Sequence, residues 1–128
     1  MNKEYELEFI RSWQLIKDNL HRDPQDEHTK MNAKFVEGIQ KRGYDKKLRA
    51  GKALFSIIIS RSKEHGLRND QHHIRLNALA DLELYEFEYH DEKTNYTIFK
   101  GNSIKVINPF ENKEFLTCLD EILKQPID

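Results

Sequence analysis

The feature that most restricts this chain is a change of hydrophobic period at His72. Downstream of it, Ile74, Leu76, Ala78, Ala80, Leu82 and Leu84 recur at every second position. Tyr85, Phe87 and Tyr89 then take the opposite phase. A period of two places alternate side chains on one face of a strand, whereas the upstream segments repeat at helical spacing. Reversal of phase within one apparent strand requires a bulge or two strands joined nearby. Helices gathered in the first half and strands in the second predict an α+β fold.

The upstream segments read as three helices. Phe9, Trp13, Ile16 and Leu20 form one stripe between Lys3 and Leu20, widened by Leu7 and Ile10. Arg22-Asp23-Pro24 ends it, because proline disfavours helical geometry in the residue before it. Asp23 and Pro24 also suit a cap and first position for a second helix, which turns Met31, Phe35, Val36 and Ile39 inward and stops at Gly43. Asp45 to His65 reads as a third helix, with Leu48, Leu54, Phe55, Ile58 and Ile59 on one face and Gly66 as its cap. The β-branched run Ile57-Ile58-Ile59 and Gly51 oppose that assignment.

Beyond the alternating segment, Asp91 to Thr94 is a polar turn and Tyr96 to Lys100 a strand. Gly101-Asn102 is a two-residue hairpin connection and Ser103 to Ile107 the returning strand. Asn108-Pro109 starts a last helix that buries Phe115, Leu116, Leu119, Ile122 and Leu123 before Pro126. The expected architecture is three N-terminal helices, an antiparallel meander and one C-terminal helix, with the helices on one face of the sheet. At 128 residues it is one domain, residues 1–128, large enough for a core without disulfides. Cys118, the lone cysteine, fits a reducing cytoplasm and a buried place on the last helix. No apolar run approaches a membrane span, and the acidic start, with Glu4, Glu6 and Glu8, does not resemble a secretory leader.

Net charge is only −1, but its distribution is uneven: residues 41–75 hold ten Lys/Arg against three Asp/Glu, and residues 76–128 hold five against eleven. Asp81, Glu83, Glu86, Glu88, Asp91 and Glu92 follow one another without a cation between them. The acidic strip suits a basic protein partner, as for an inhibitor, immunity protein or adaptor. In the basic segment, Lys41, Arg42, Lys46, Lys47, Arg49 and Lys52 surround Tyr44, which suits phosphate contacts and base stacking; the near-neutral isoelectric point argues against that use.

Residues 60–75 are the densest in chemically capable groups. His65, Arg68, Asp70 and His72 are the candidates for proton transfer, with Asp70 orienting a histidine; Arg61, Arg68 and Arg75 suit carboxylate or phosphate. Alternation puts His72 beside Ile74 and His73 with Arg75 on the other face, so the adjacent histidines do not share an ion; neither metal nor cofactor is expected. The leading expectation is therefore a small protein-binding module using Glu83, Glu86 and Glu88, without enzymatic activity. An anion or nucleic-acid binder and a small enzyme at the His65–His72 cluster are the alternatives, and self-association through an edge strand is a further possibility.

Overall fold

The first stripe forms helix α1 (Lys3–Leu20), with Phe9, Trp13, Ile16 and Leu20 buried, whereas Leu7, expected to widen the stripe, is exposed. The computed structural model describes residues 3–20, 26–53, 56–64, 71–90 and 103–128. Helix α2 (Glu27–Lys41) is capped by Asp26, whose carboxylate accepts from the His28 amide at 3.0 Å. The cap therefore lies beyond the expected Asp23-Pro24, which falls outside the described residues. At the other end, Gly43 adopts φ 79°, a left-handed conformation that glycine takes without strain.

The third expected helix does not form. Its residues make a 3-10 turn (Tyr44–Lys46) and two antiparallel strands, β1 (Arg49–Ala53) and β2 (Ser56–Ser60), with Leu54 and Phe55 outside the described residues. All five β2 residues are buried. A strand enclosed on both faces has a continuous apolar run, and such a run does not distinguish strand from helix by period. The β-branched isoleucines and Gly51 favour the extended form.

The phase reversal is a chain reversal. Strand β3 (His73–Leu79) ends in a 3-10 turn (Ala80–Leu82), Glu83 takes φ 55°, and β4 (Leu84–His90) returns with Leu79 opposite Leu84. The short strand β5 (Ile104–Val106) pairs with β4, and the five strands lie in the order β1-β2-β3-β4-β5, all antiparallel. The expected Tyr96–Lys100 strand and Gly101-Asn102 turn lie outside the described residues. Asn108 caps only a 3-10 turn (Pro109–Glu111); the last helix, α3 (Lys113–Leu123), is capped by Asn112, which accepts from the Phe115 amide at 2.8 Å.

Register gives the sheet two unlike faces. Ala50, Ile57, Ile59, Ile74, Leu76, Ala78, Tyr85, Phe87, Tyr89 and Val106 share one face and form a single core with buried residues of α1, α2 and α3. Ser56, Ser60, His73, Arg75, Asn77, Glu86, Glu88, His90 and Lys105 occupy the other. The α+β architecture thus stands with two helices rather than three before the sheet.

The sheet edge at β1 is covered by α1. Trp13 Nε1 donates to the Leu48 carbonyl at 2.7 Å, and the Ala50 amide donates to Ser12 Oγ at 2.9 Å. Ser12 in turn donates to the Phe9 carbonyl at 2.6 Å. Side chains of a helix therefore satisfy backbone groups that an edge strand otherwise exposes. Ser12→Ala leaves the Ala50 amide buried without an acceptor and is expected to cost about 1–3 kcal/mol. Urea unfolding checks this against Leu15→Ala, at a side chain 55 % exposed, where the change should stay within about 0.5 kcal/mol.

Candidate functional site

Of the four residues expected for proton transfer, only His72 lies in the described part; His65, Arg68 and Asp70 fall outside it. His72 lies beside the core face, as alternation requires, and its Nδ1 is 2.7 Å from the Tyr89 hydroxyl with the rings edge-to-face. His73 lies on the opposite face and stacks on His90, with centroids 4.7 Å apart and planes 2° apart. His73 Nδ1–H donates to the Gln71 carbonyl at 3.0 Å, and His90 Nε2 lies 3.5 Å from Glu88. Burial lowers the His73 pKa most; the Gln71 carbonyl opposes this, while His90 and Arg75 add to it. Among the described residues no group of three His, Cys, Asp or Glu is arranged to hold a metal ion.

Among the described residues, strand register sets members of the two charged blocks against one another. Glu88 lies opposite Arg75 and Glu86 lies between Asn77 and Lys105 in register. Glu83 and Asp81 are exposed at the turn before β4, and Asp91 and Glu92 lie outside the described residues. The aromatic phase of β4 faces the core: Tyr85, Phe87 and Tyr89 are all buried. In the basic block Arg49 is buried, with its Nε donating to the Ser62 carbonyl at 2.6 Å and Nη2 to the Lys63 carbonyl at 3.0 Å. Its charge also faces Glu8 at 3.4 Å. Arg61 Nη1 donates to the Lys47 carbonyl at 3.1 Å, and Tyr44 packs against the core. Arg49 and Arg61 thus hold backbone carbonyls, Tyr44 is half-buried against the core, and Lys46 and Lys47 beside it are exposed.

A groove of about 490 Å³ lies between α2 and the turn Pro109–Glu111. Phe110 forms its floor. Its ring stacks on Phe35 at 5.2 Å, meets Phe115 edge-on at 6.1 Å, and lies under the Arg42 guanidinium at 4.1 Å. Arg42 is held there by donating from Nη1 to the Gly38 carbonyl at 3.2 Å. Gly38 permits the arrangement, because a Cβ there would stand 2.4 Å from Phe110 Cε2. Tyr85 closes the inner end, donating to the Met31 carbonyl at 2.5 Å, and burial pushes its pKa to about 12.

The groove rim mixes apolar and charged groups: Ile107, Asn108 and Glu111 stand on one side, and Lys34, Glu37, Lys41 and Arg42 on the other. Ile107, 79 % exposed, stands at the mouth. Lys34 and Lys41 line the α2 side, and neither has an ion-pair partner among the described residues; Glu37, beside them, already faces Lys17 at 3.7 Å. None of Lys34, Gly38, Ile107 or Phe110 is a candidate on sequence grounds. Gly38 carried the only available signal, an isolated glycine within a helical stripe, which marks a close approach. Cys118 is buried at the core, and burial, then Glu121 and Glu114, push its thiol to about 12.

Two outcomes test this geometry. The unfolded chain binds a proton at an ordinary histidine near pH 6.5, above the lowered native value. Stability must therefore fall as pH drops from there towards the native pKa, and His73→Gln should flatten that part of the urea-midpoint profile. Gly38→Ala gains up to about 1 kcal/mol of helix propensity but displaces Phe110 at a cost of about 1–3 kcal/mol. Net destabilisation is expected, and it should reverse in a Phe110→Ala background. Comparison with protein-family models, curated proteins and solved structures gives no match to this chain.

Proposed function

We propose that the chain is a small protein-binding module that seats part of its partner in the groove between α2 and Pro109–Glu111. The observation that carries this reading is Ile107, a large apolar side chain 79 % exposed beside a preformed aromatic floor. Apolar concavities with a few placed charges are the usual form of a binding site, and buried anchor residues dominate interface energy. Phe110 is held by stacking and by Arg42, so its ring needs no reordering on binding. Lys34 and Lys41 supply charge at the rim, where it acts on encounter rate and partner choice.

A second reading keeps the acidic strand as the contact for a basic partner, favoured by the exposure of Asp81 and Glu83 at the turn. Capture of partners from native lysate by the tagged chain separates the two. Ile107→Asp and Lys34→Glu/Lys41→Glu are expected to abolish recovery of the partner, and reversal of Glu83, Glu86 and Glu88 to lysine to leave it intact. The opposite pattern places the contact on the acidic strand.

A further inference from the structure

Residues 125–128, which follow α3, return to the C-terminal end of β2. The Asp128 amide donates to the Arg61 carbonyl at 3.1 Å, and the Lys63 amide donates to the Asp128 main-chain oxygen at 3.2 Å. Two such bonds, to the residues on either side of Ser62, form a one-residue parallel bridge. The same Asp128 oxygen accepts from Gln71 Nε2. One main-chain atom beyond the last helix therefore ties the stretch that leaves β2 to a residue that leads into β3. Independently of the groove reading above, we infer that residues 125–128 are a releasable clasp, which holds Lys63 and Gln71 together and detaches while the sheet stays folded.

Residues 61–63 are held by two unlike partners. One is Arg49, which is buried; its Nε donates to the Ser62 carbonyl at 2.6 Å, its Nη2 to the Lys63 carbonyl at 3.0 Å, and its charge meets Glu8 of α1 at 3.4 Å. Hydrogen bonds from an ionised donor are roughly twice as strong as neutral ones. The other partner is the clasp, joined by neutral bonds, with Pro126 and Asp128 exposed and Gln125 and Ile127 half-buried. Neutral bonds in contact with water contribute little net stability, and exposed segments with few buried contacts open first.

Both ends of the clasp keep their own anchors when it opens. Arg49 still holds residues 62 and 63, and α3 keeps Phe115, Cys118, Leu119 and Ile122 in the core. The change is local. Closed, Lys63 and Gln71 share one acceptor, which sets the distance between the two stems of the β2–β3 connection. Open, that distance is no longer set by Asp128, and the Arg61 carbonyl and Lys63 amide become available to another extended segment.

Native-state amide exchange on the intact, isotope-labelled chain tests the clasp, followed by NMR in rising sub-denaturing urea. The Lys63 and Asp128 amides are expected to share one opening constant that hardly changes with urea, because a local opening exposes little surface. Ile59 and Ile74, inside the sheet, should exchange more slowly and with the full urea dependence of unfolding. Asp128→Pro removes the N–H that Arg61 accepts and should raise the Lys63 opening constant about tenfold, the equivalent of one hydrogen bond. Gln71→Ala should raise those of Lys63 and Asp128 together, and neither variant should change the rates of Ile59 and Ile74.

Exchange of Lys63 and Asp128 only at the rate and urea dependence of Ile59 overturns the inference, since the segment then belongs to the cooperative core. So does an Asp128 amide that exchanges without protection while Lys63 stays protected and indifferent to Asp128→Pro, because such an end holds nothing. Unchanged Lys63 and Asp128 rates in Gln71→Ala overturn the joining of the two stems. A fall in Ile59 protection equal to that of Lys63 in Asp128→Pro overturns release without unfolding.

Discussion

The hydrogen bond from the Trp13 indole to the Leu48 carbonyl fixes how helices and sheet meet. It ties the middle of α1 to the chain as it enters β1, and the adjacent Ser12–Ala50 bond sets the helix along the strand. From that anchor the core is assembled through rings. Trp13 lies 6.4 Å from Phe35 of α2, and Phe35 in turn meets Tyr85, Phe110 and Phe115. Phe115 then meets Phe87 edge-on at 5.1 Å. One aromatic side chain on α2 thus joins all three helices, the sheet and the groove floor. A change that displaces Phe35 is felt at the groove as well as in the core, because close-packed interiors transmit strain.

Charge in this protein is rearranged by register. Along the chain, cations and acids fall into long separate blocks; in the sheet, β4 from the acidic block lies between β3 and β5. Arg75 faces Glu88 and Lys105 faces Glu86 across the strands. Alternation also sends every second residue of a block to the core side, which is why Tyr85, Phe87 and Tyr89 separate the acids without adding to a surface. On α2, Lys30 pairs with Glu27 on its own helix, while Lys34 and Lys41 have no ion-pair partner among the described residues.

Legibility followed the period. The stripes of α1, α2 and α3, the reversal between β3 and β4, the end of α2 at Gly43 and the opposed placement of His72 and His73 could all be read from spacing. The β1–β2 hairpin could not, because β2 is buried on both faces and loses its alternation. Capping was misplaced by a few residues at two helices, since Asp23 and Asp26, and Asn108 and Asn112, are equally able acceptors separated by one turn. The groove was illegible for another reason: it joins residues near position 38 to residues near 107, and only tertiary packing brings Gly38 under Phe110. Gly38 could have raised the question but not supplied the partner.

The covered edge has a consequence for assembly. A sheet that can be extended from both sides is able to propagate, and propagation is the route from edge pairing to fibres. Here α1 occupies one side, so growth by successive copies in a single direction has no surface on which to continue. The helix that completes the core therefore also shields that edge, and a further strand could pair there only if α1 moved away from Ala50.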